Sequence, residues 1–104
     1  MAGGRTTDAA GIVVVDPSGF IEEVDDVVCA LLGYERAELV GMHGADLIPA
    51  AIRPRTAAAI DRMRRGEVTT RSGTMRRKDG STVTVHVEVR GVPGGRLVLE
   101  LRPA

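Results

Sequence analysis

The chain has 104 residues, which is enough for one domain with a single hydrophobic core and too few for a two-domain enzyme with an interdomain cleft. Hydrophobic residues make up 43% of it and charged residues 27%, as in an ordinary soluble protein. No apolar run approaches the roughly 20 residues that cross a bilayer, and no secretory signal opens the chain. We therefore expect a cytoplasmic protein with no membrane partner. The single cysteine excludes a disulfide framework.

The net charge of zero conceals an uneven distribution. Residues 1–50 carry nine acidic and two basic side chains, whereas residues 51–104 carry five acidic and twelve basic ones. The simpler interpretation is that the two halves fold against each other and mix their charges on one surface. The alternative is a nucleic-acid-binding surface along residues 53–78, but that segment has no aromatic side chains for stacking on bases. We therefore expect no nucleic-acid partner.

The first third of the chain predicts a leader and a β-hairpin. Residues 1–10 are small and polar and predict a flexible leader. Residues 11–16 form a β-branched apolar run that is typical of a buried strand. An Asp-Pro-Ser-Gly turn at residues 16–19 leads into a second strand at residues 20–24.

Short helices follow the hairpin. Asp25 or Asp26 is expected to cap a first helix that stops at Gly33, and a second short helical segment breaks at Gly41. Residues 54–65 predict a longer helix, with proline in its first turn and a glycine after its end.

The last third of the chain is predicted to be all strand. A strand at residues 68–77 and a strictly alternating strand at residues 81–89 flank an Asp-Gly hairpin turn. A Pro-Gly-Gly turn at residues 93–95 precedes a final strand with Leu97, Leu99 and Leu101 on one face. Two strands, a group of helices and three more strands predict an α+β fold with an antiparallel sheet.

Four segments resemble the PAS sensor domain family, in the family's order and spacing: "VVVDPSG", "LLGYERAELVG", "ADLIP" and "RRKDGSTVTVHVEV". The resemblance covers residues 11–102, which we take as a single PAS domain. It implies a five-stranded antiparallel sheet with short helices packed on one face around a small pocket. One departure is Asp25, where the family often has asparagine; aspartate can still cap the helix that follows.

The resemblance implies a sensory and protein-interaction module in bacterial signal transduction, acting by ligand- or partner-dependent association. The alternative is a small apolar-ligand-binding sensor domain of a larger kinase, cyclase or transcription regulator. A third hypothesis, an enzyme built on this fold, has no support from the residues. The serines lack the glycines of a nucleophile elbow, and no glycine-rich phosphate loop is present. We expect a non-enzymatic domain.

The cofactor-binding branches of the family can be compared residue by residue. The flavin-binding light sensors share "GYERAELVG" but need a cysteine three residues after its last glycine, where this chain has Gly44. No asparagine or glutamine is available to hold a flavin ring. Haem-binding members supply a histidine from the long helix, which here contains none, although Met63 is a conceivable weak ligand. We expect neither flavin nor haem, and no metal site, because two histidines lack a third ligand.

Two isolated side chains have both a structural and a sensing interpretation. Cys29 lies in the first short helix. A thiol that packs in the core is a simpler interpretation of it than a redox sensor. His43 follows Gly41 and is expected to bond to loop backbone, with a pocket-lining proton switch as the alternative.

The predicted pocket is aliphatic and nearly free of hydrogen-bond donors. Strand alternation places Val85, Val87 and Val89 on the core face, the helices supply apolar side chains, and the resemblance adds two valines of the first strand. The ligand is therefore expected to be apolar in its body, either aliphatic or carboxylate-free. The pocket candidates are Val13, Val15, Leu31, Leu47, Ile60, Met63, Val85 and Val87.

The opposite face of the sheet is the predicted partner surface. The resemblance places Ile12 and Val14 there, and alternation adds Thr84 and His86. Residues 1–10 offer little apolar surface to cover these side chains, so a like patch of a second copy is the expected cover. We therefore expect a homodimer, alongside an effector domain or partner protein.

Overall fold

A computed structural model of the chain describes residues 10–104, so the predicted leader, apart from Ala10, lies outside the described residues. The described part contains one five-stranded antiparallel sheet, with all three α-helices between its second and third strands. This confirms the α+β prediction. The elements are β1 (Gly11–Val15), β2 (Ile21–Val24), α1 (Asp26–Leu32), α2 (Arg36–Leu39), α3 (Arg53–Arg64), β3 (Thr70–Arg76), β4 (Thr82–Gly91) and β5 (Leu97–Pro103).

The strand order is β2-β1-β5-β4-β3, so the last strand of the chain lies at the centre of the sheet. It pairs with β1 on one side, where Val13 is opposite Leu99, and with β4 on the other, where Val87 is opposite Leu101. Residues directly opposite each other in a sheet share a face. The buried valines of β1 and β4 and the leucines of β5 therefore lie on the same face.

The helices and two short 3-10 turns, at Gly44–Leu47 and Ala50–Ile52, cover that face. They build one core with the strands, in which the innermost side chains share an exposed fraction of 3% or less: Ile21, Val28, Leu32, Leu39, Leu47, Met63, Val85, Leu97 and Leu101. Within residues 10–104 no helix is long and apolar enough to cross a membrane.

Asp25 connects the sheet to the first helix. Its Oδ1 accepts a hydrogen bond from the backbone N–H of Val28 at 3.1 Å, which caps α1. Its Oδ2 accepts one from the backbone N–H of Ile12 at 2.9 Å. A carboxylate has acceptor sites for both donors, so aspartate serves at this position without an amide. The cap predicted for this helix is confirmed.

Gly11 packs directly against this connection. A Cβ at this position would lie 2.6 Å from Val28 Cγ2, 2.7 Å from Asp25 Oδ1 and 2.9 Å from the backbone nitrogen of Val28. Two of these atoms belong to the helix cap, which cannot retreat without losing its hydrogen bonds. The start of β1 therefore approaches α1 as closely as it does only because residue 11 has no side chain.

We predict that Gly11→Ala lowers the free energy of unfolding by about 1–3 kcal/mol, the usual cost of overpacking. Urea unfolding followed by circular dichroism measures it as a lower midpoint at an unchanged slope. Gly73→Ala in β3 is the matched control, because a Cβ there meets nothing closer than 3.5 Å. Equal midpoints for the two variants would contradict the close approach.

Candidate functional site

A cavity of about 350 Å³ lies between the helix-covered face of the sheet and α3. Its floor comes from strands β1, β5, β4 and β3 and from Ile21 of β2, and its opposite wall comes from α3 and the Gly44–Leu47 turn. A pocket of this size is at the lower end of the range for small-molecule sites. It is large for a cavity in a domain of this length, since about 150 Å³ of apolar space already holds benzene.

The floor of the cavity is aliphatic because inward-facing side chains alternate along each strand. The β5 leucines occupy its centre, and valines of the flanking strands lie on either side. The helical wall adds the side chains of Leu47, Ile48 and Ile60. The aliphatic floor residues are Val13, Val15, Ile21, Val85, Val87, Leu97, Leu99 and Leu101.

Three arginines also line the cavity, and two of them are held by backbone carbonyls. The Nε of Arg53 donates to the carbonyl oxygens of Ala45 at 2.9 Å and Ile48 at 3.0 Å. Arg64 donates through Nη2 to the carbonyl oxygen of Asp16 at 2.9 Å, and through Nη1 to that of Gly95. These guanidinium groups fasten α3 to the turns around the cavity.

The third arginine, Arg71, is placed differently. It lies on the cavity face of β3, opposite Val87, and is partly buried. A Cβ at Gly73 would lie 3.5 Å from its Nη1, so the guanidinium rests over a position that has no side chain. Burial lowers the pKa of Arg71, and the positive charges of Arg55 and Arg62 lower it further. The expectation of a lining nearly free of hydrogen-bond donors is therefore wrong.

His43 lines the cavity next to the β1–β2 turn, and both of its ring nitrogens are engaged. The backbone N–H of Ala45 donates to Nδ1 at 3.1 Å, so Nε2 carries the proton and donates to the carbonyl oxygen of Ser18 at 3.1 Å. The ring meets Phe20 edge to face at 4.9 Å between centroids. The loop-bonding interpretation is confirmed, and the residue also faces the cavity.

The β1–β2 turn beside His43 is held by Asp16. Its carboxylate accepts hydrogen bonds from the backbone N–H groups of Phe20 at 2.9 Å and Ser18 at 2.8 Å. The bond from Phe20 contributes most to lowering the pKa of Asp16. The carboxylate thus stays ionised and keeps the turn closed over one end of the cavity.

Six of the eight pocket candidates line the cavity: Val13, Val15, Leu47, Ile60, Val85 and Val87. Leu31 does not, because α1 covers the β1 end of the sheet and this side chain is only partly buried at the margin of the core. Met63 does not either. It is 1% exposed and is buried on α3 with Ala59, beside the cavity-facing stripe of Thr56, Ile60 and Arg64. Val89 packs against the core outside the cavity.

Sequence reasoning did not assign three groups of residues to the cavity. These are the β5 leucines, Arg71 and Met75 of β3, and the polar side chains of α3 that line it. The leucines were seen to share a face, but only the strand order shows that this face is the cavity floor. Arg71, Gly73 and Met75 alternate as cavity-facing residues do, yet an arginine and a glycine conceal the pattern. On α3 the available signal was helical spacing. Asp61 follows Ala57 by four residues and Arg64 follows Ile60 by four, which places each pair on one face of the helix.

The four partner-surface candidates lie on the opposite face of the sheet. Ile12 and Val14 are partly exposed, and Thr84 and His86 are exposed. They form two separate groups, because β5 lies between β1 and β4 and presents Val98, Glu100 and Arg102 there. Glu100 pairs with Arg102 at 3.3 Å and with Arg90 at 3.7 Å. The apolar part of this face is therefore Ile12, Val14 and Val98.

Cys29 is partly buried and packs against the core, as the packing interpretation expects. Among the residues that the structure describes, no group of three histidine, cysteine or acidic side chains is arranged to hold a metal ion.

The described residues thus form an α+β domain with helices on one face of a five-stranded sheet and a cavity between the two layers. The family model described as "PAS domain" matches residues 9–100. The chain belongs to the PAS domain family, whose members are signal-sensing modules. No relative among curated proteins matches it.

Solved structures share the fold at low sequence identity. A domain of a sensory box sensor histidine kinase/response regulator from Geobacter sulfurreducens has a TM-score of 0.78 and 23% identity, over 97% of this chain and 90% of that one. A PAS domain from Desulfitobacterium hafniense has a TM-score of 0.82 and 16% identity, over 96% and 97%. The PAS domain of the quorum-sensing receptor RpfR from Cronobacter turicensis, in complex with BDSF, has a TM-score of 0.75 and 12% identity, over 90% and 92%.

Proposed function

We propose that this PAS domain senses a small molecule with an aliphatic body, which it binds in the cavity between the sheet and α3. The observation that carries the proposal is the aliphatic floor of a cavity of about 350 Å³. Transfer of each CH₂ group from water into such a site is worth about 0.8 kcal/mol, so a chain of several carbons has a substantial driving force. The Cronobacter turicensis domain, described in complex with BDSF, supports ligand binding by this fold.

The domain acts by association and passes its state to an effector domain or partner protein, in a bacterial cytoplasmic signalling protein. Residues 11–102 make one domain, which takes neither flavin nor haem and catalyses no reaction. Neither nucleic acid nor membrane is among its partners. The ligand-free alternative, a pure protein-association module, predicts that the cavity binds nothing and that only the outer sheet face matters.

A second copy of the chain is the proposed partner of the outer face. Ile12, Val14 and Val98 leave part of their aliphatic surface in water, whereas the neighbouring Glu100 is paired within its own chain. A two-fold contact buries the same patch from both copies at once. Three aliphatic side chains form a small centre, so we expect a weak, concentration-dependent dimer.

Octanamide, a neutral molecule with an aliphatic body, tests the cavity. We predict that it shifts the backbone amide resonances of Val85, Val87 and Leu99, whose side chains line the floor. Val87→Phe fills the space and is expected to weaken binding by about tenfold or more. Nuclear magnetic resonance titration of both proteins measures the affinities.

Val89→Phe is the matched control, because it makes the same change on the same strand at a residue outside the cavity lining. It is expected to bind octanamide as the unmodified chain does. If octanamide moves no cavity resonance, or if both phenylalanine variants bind it equally, the proposed site is wrong.

Absorbance tests the proposal about cofactors. Protein purified from its own host is expected to show no visible absorption band, because no amide side chain can read a flavin edge and α3 offers no histidine to haem iron. A flavin or Soret band that survives gel filtration would overturn this part of the proposal.

Val14→Arg tests the dimer. A guanidinium at the centre of the patch would face its own copy across the two-fold axis, so we predict a monomer with an unchanged circular dichroism spectrum. Analytical ultracentrifugation over a micromolar concentration series measures the association. Val40→Arg is the control, since Val40 is an exposed valine at the end of α2. If the unmodified chain is monomeric, the proposed dimer is wrong. If the Val14→Arg variant still pairs, the interface lies elsewhere.

A further inference from the structure

The three arginines of the cavity differ in what their guanidinium groups contact. Those of Arg53 and Arg64 donate to backbone carbonyls, which fixes their positions and uses their donors. The guanidinium of Arg71 has neither a hydrogen-bond acceptor nor an ion-pair partner among residues 10–104. A guanidinium carries five N–H donors, two of which can bind the two oxygens of one carboxylate. A partly buried guanidinium without such a partner therefore has donors left for a ligand.

The surroundings of Arg71 are positively charged. Arg53 and Arg64 line the same cavity from the α3 side, and Arg55 and Arg62 are close enough to lower the pKa of Arg71. Among residues 10–104, Asp61 is the one acidic side chain in the cavity lining, and its carboxylate already pairs with Arg65 on the outside of α3. Loss of hydration and like-charge repulsion both disfavour the arrangement until an anion arrives.

Gly73 leaves room for the guanidinium of Arg71 beside the floor of the cavity. The guanidinium of Arg71 lies over this residue, on the same face of β3 and beside the aliphatic floor. A ligand whose apolar chain lies over the valines of β4 would thus have its end next to guanidinium donors that no residue in the range 10–104 uses. The volume of about 350 Å³ corresponds to about a dozen non-hydrogen atoms at the roughly 30 Å³ that each water occupies in the liquid.

We propose that Arg71 binds the carboxylate of an aliphatic monocarboxylate ligand whose hydrocarbon chain fills the cavity. This inference rests on the proposed function and names the ligand class of the same site. It replaces the carboxylate-free ligand that the sequence alone suggested. The carboxylate accepts hydrogen bonds from the guanidinium of Arg71 and offsets the excess of positive charge. The hydrocarbon chain packs on the aliphatic floor.

Three probes of one chain length separate charge from shape: octanoate, octanamide and octylammonium. Octanoate and octanamide have the same size and geometry and differ in the charge of the head group. We expect octanoate to bind the unmodified chain about tenfold or more tightly than octanamide, and octylammonium to bind most weakly. The dissociation constants come from the same cavity amide resonances at low ionic strength, and the advantage of octanoate is expected to shrink in salt.

Arg71→Met keeps an unbranched side chain and removes the charge. It is expected to bring octanoate down to the affinity of octanamide, and to leave octanamide within about twofold of its original value. Arg102→Met is the matched control, because it removes the same charge from the opposite face of the sheet. It is expected to keep the preference for octanoate.

The outcomes distinguish this inference from the proposed function. If the unmodified chain binds octanoate and octanamide equally, or if Arg71→Met retains the preference, the role of Arg71 is wrong and the aliphatic site stands. If inorganic phosphate at the same concentration displaces octanoate, the site selects charge without the chain, and the inference is wrong. If no probe moves a cavity resonance, both proposals fall.

Discussion

The central position of β5 is the constraint on which the rest of the structure depends. The first two strands and the β3–β4 hairpin share no direct strand pairing, and they belong to one sheet only because β5 pairs with β1 on one side and β4 on the other. Its three buried leucines supply the middle of the cavity floor. β5 therefore completes both the sheet and the cavity, and its pairing with β1 joins strands from opposite ends of the described residues.

The elements could be predicted from the sequence because each depends on local chemistry. Turn residues, the cap at Asp25 and the alternation of Val85 and Val87 act over a few residues, and the helices and strands follow in the predicted order. Strand order depends on which buried faces meet, which no local pattern specifies. For that reason the sequence shows that the β5 leucines share one face but does not show that this face is the cavity floor. Met63 was assigned to the cavity because it shares the apolar face of α3 with Ile60, but only part of that face lines the cavity.

Two of the segments that carry the family resemblance contact each other at a distance from the cavity. Glu38 of "GYERAELVG" pairs with Lys78 of "RRKDG" at 2.6 Å, and the hydrogen bond from Lys78 is the main reason that the pKa of Glu38 is lowered. Arg77 donates to the carbonyl oxygen of Leu31 at 3.1 Å. These contacts attach α1 and α2 to the β3–β4 hairpin. None of these four residues lines the cavity, so these contacts stabilise the fold without taking part in the cavity lining.

The two proposed surfaces are opposite sides of the same strands. Along β4 the inward Val85 and Val87 alternate with the outward His86, and along β5 the inward Leu99 alternates with the outward Val98. A strand cannot twist or shift to accommodate a ligand on one face without moving the side chains on the other, because the backbone between them is a single pleated layer. If the ligand favours one strand geometry and the dimer favours the same one, each must strengthen the other by the same free energy. Under the two proposals, the shared strands would let ligand concentration change the affinity for a second copy.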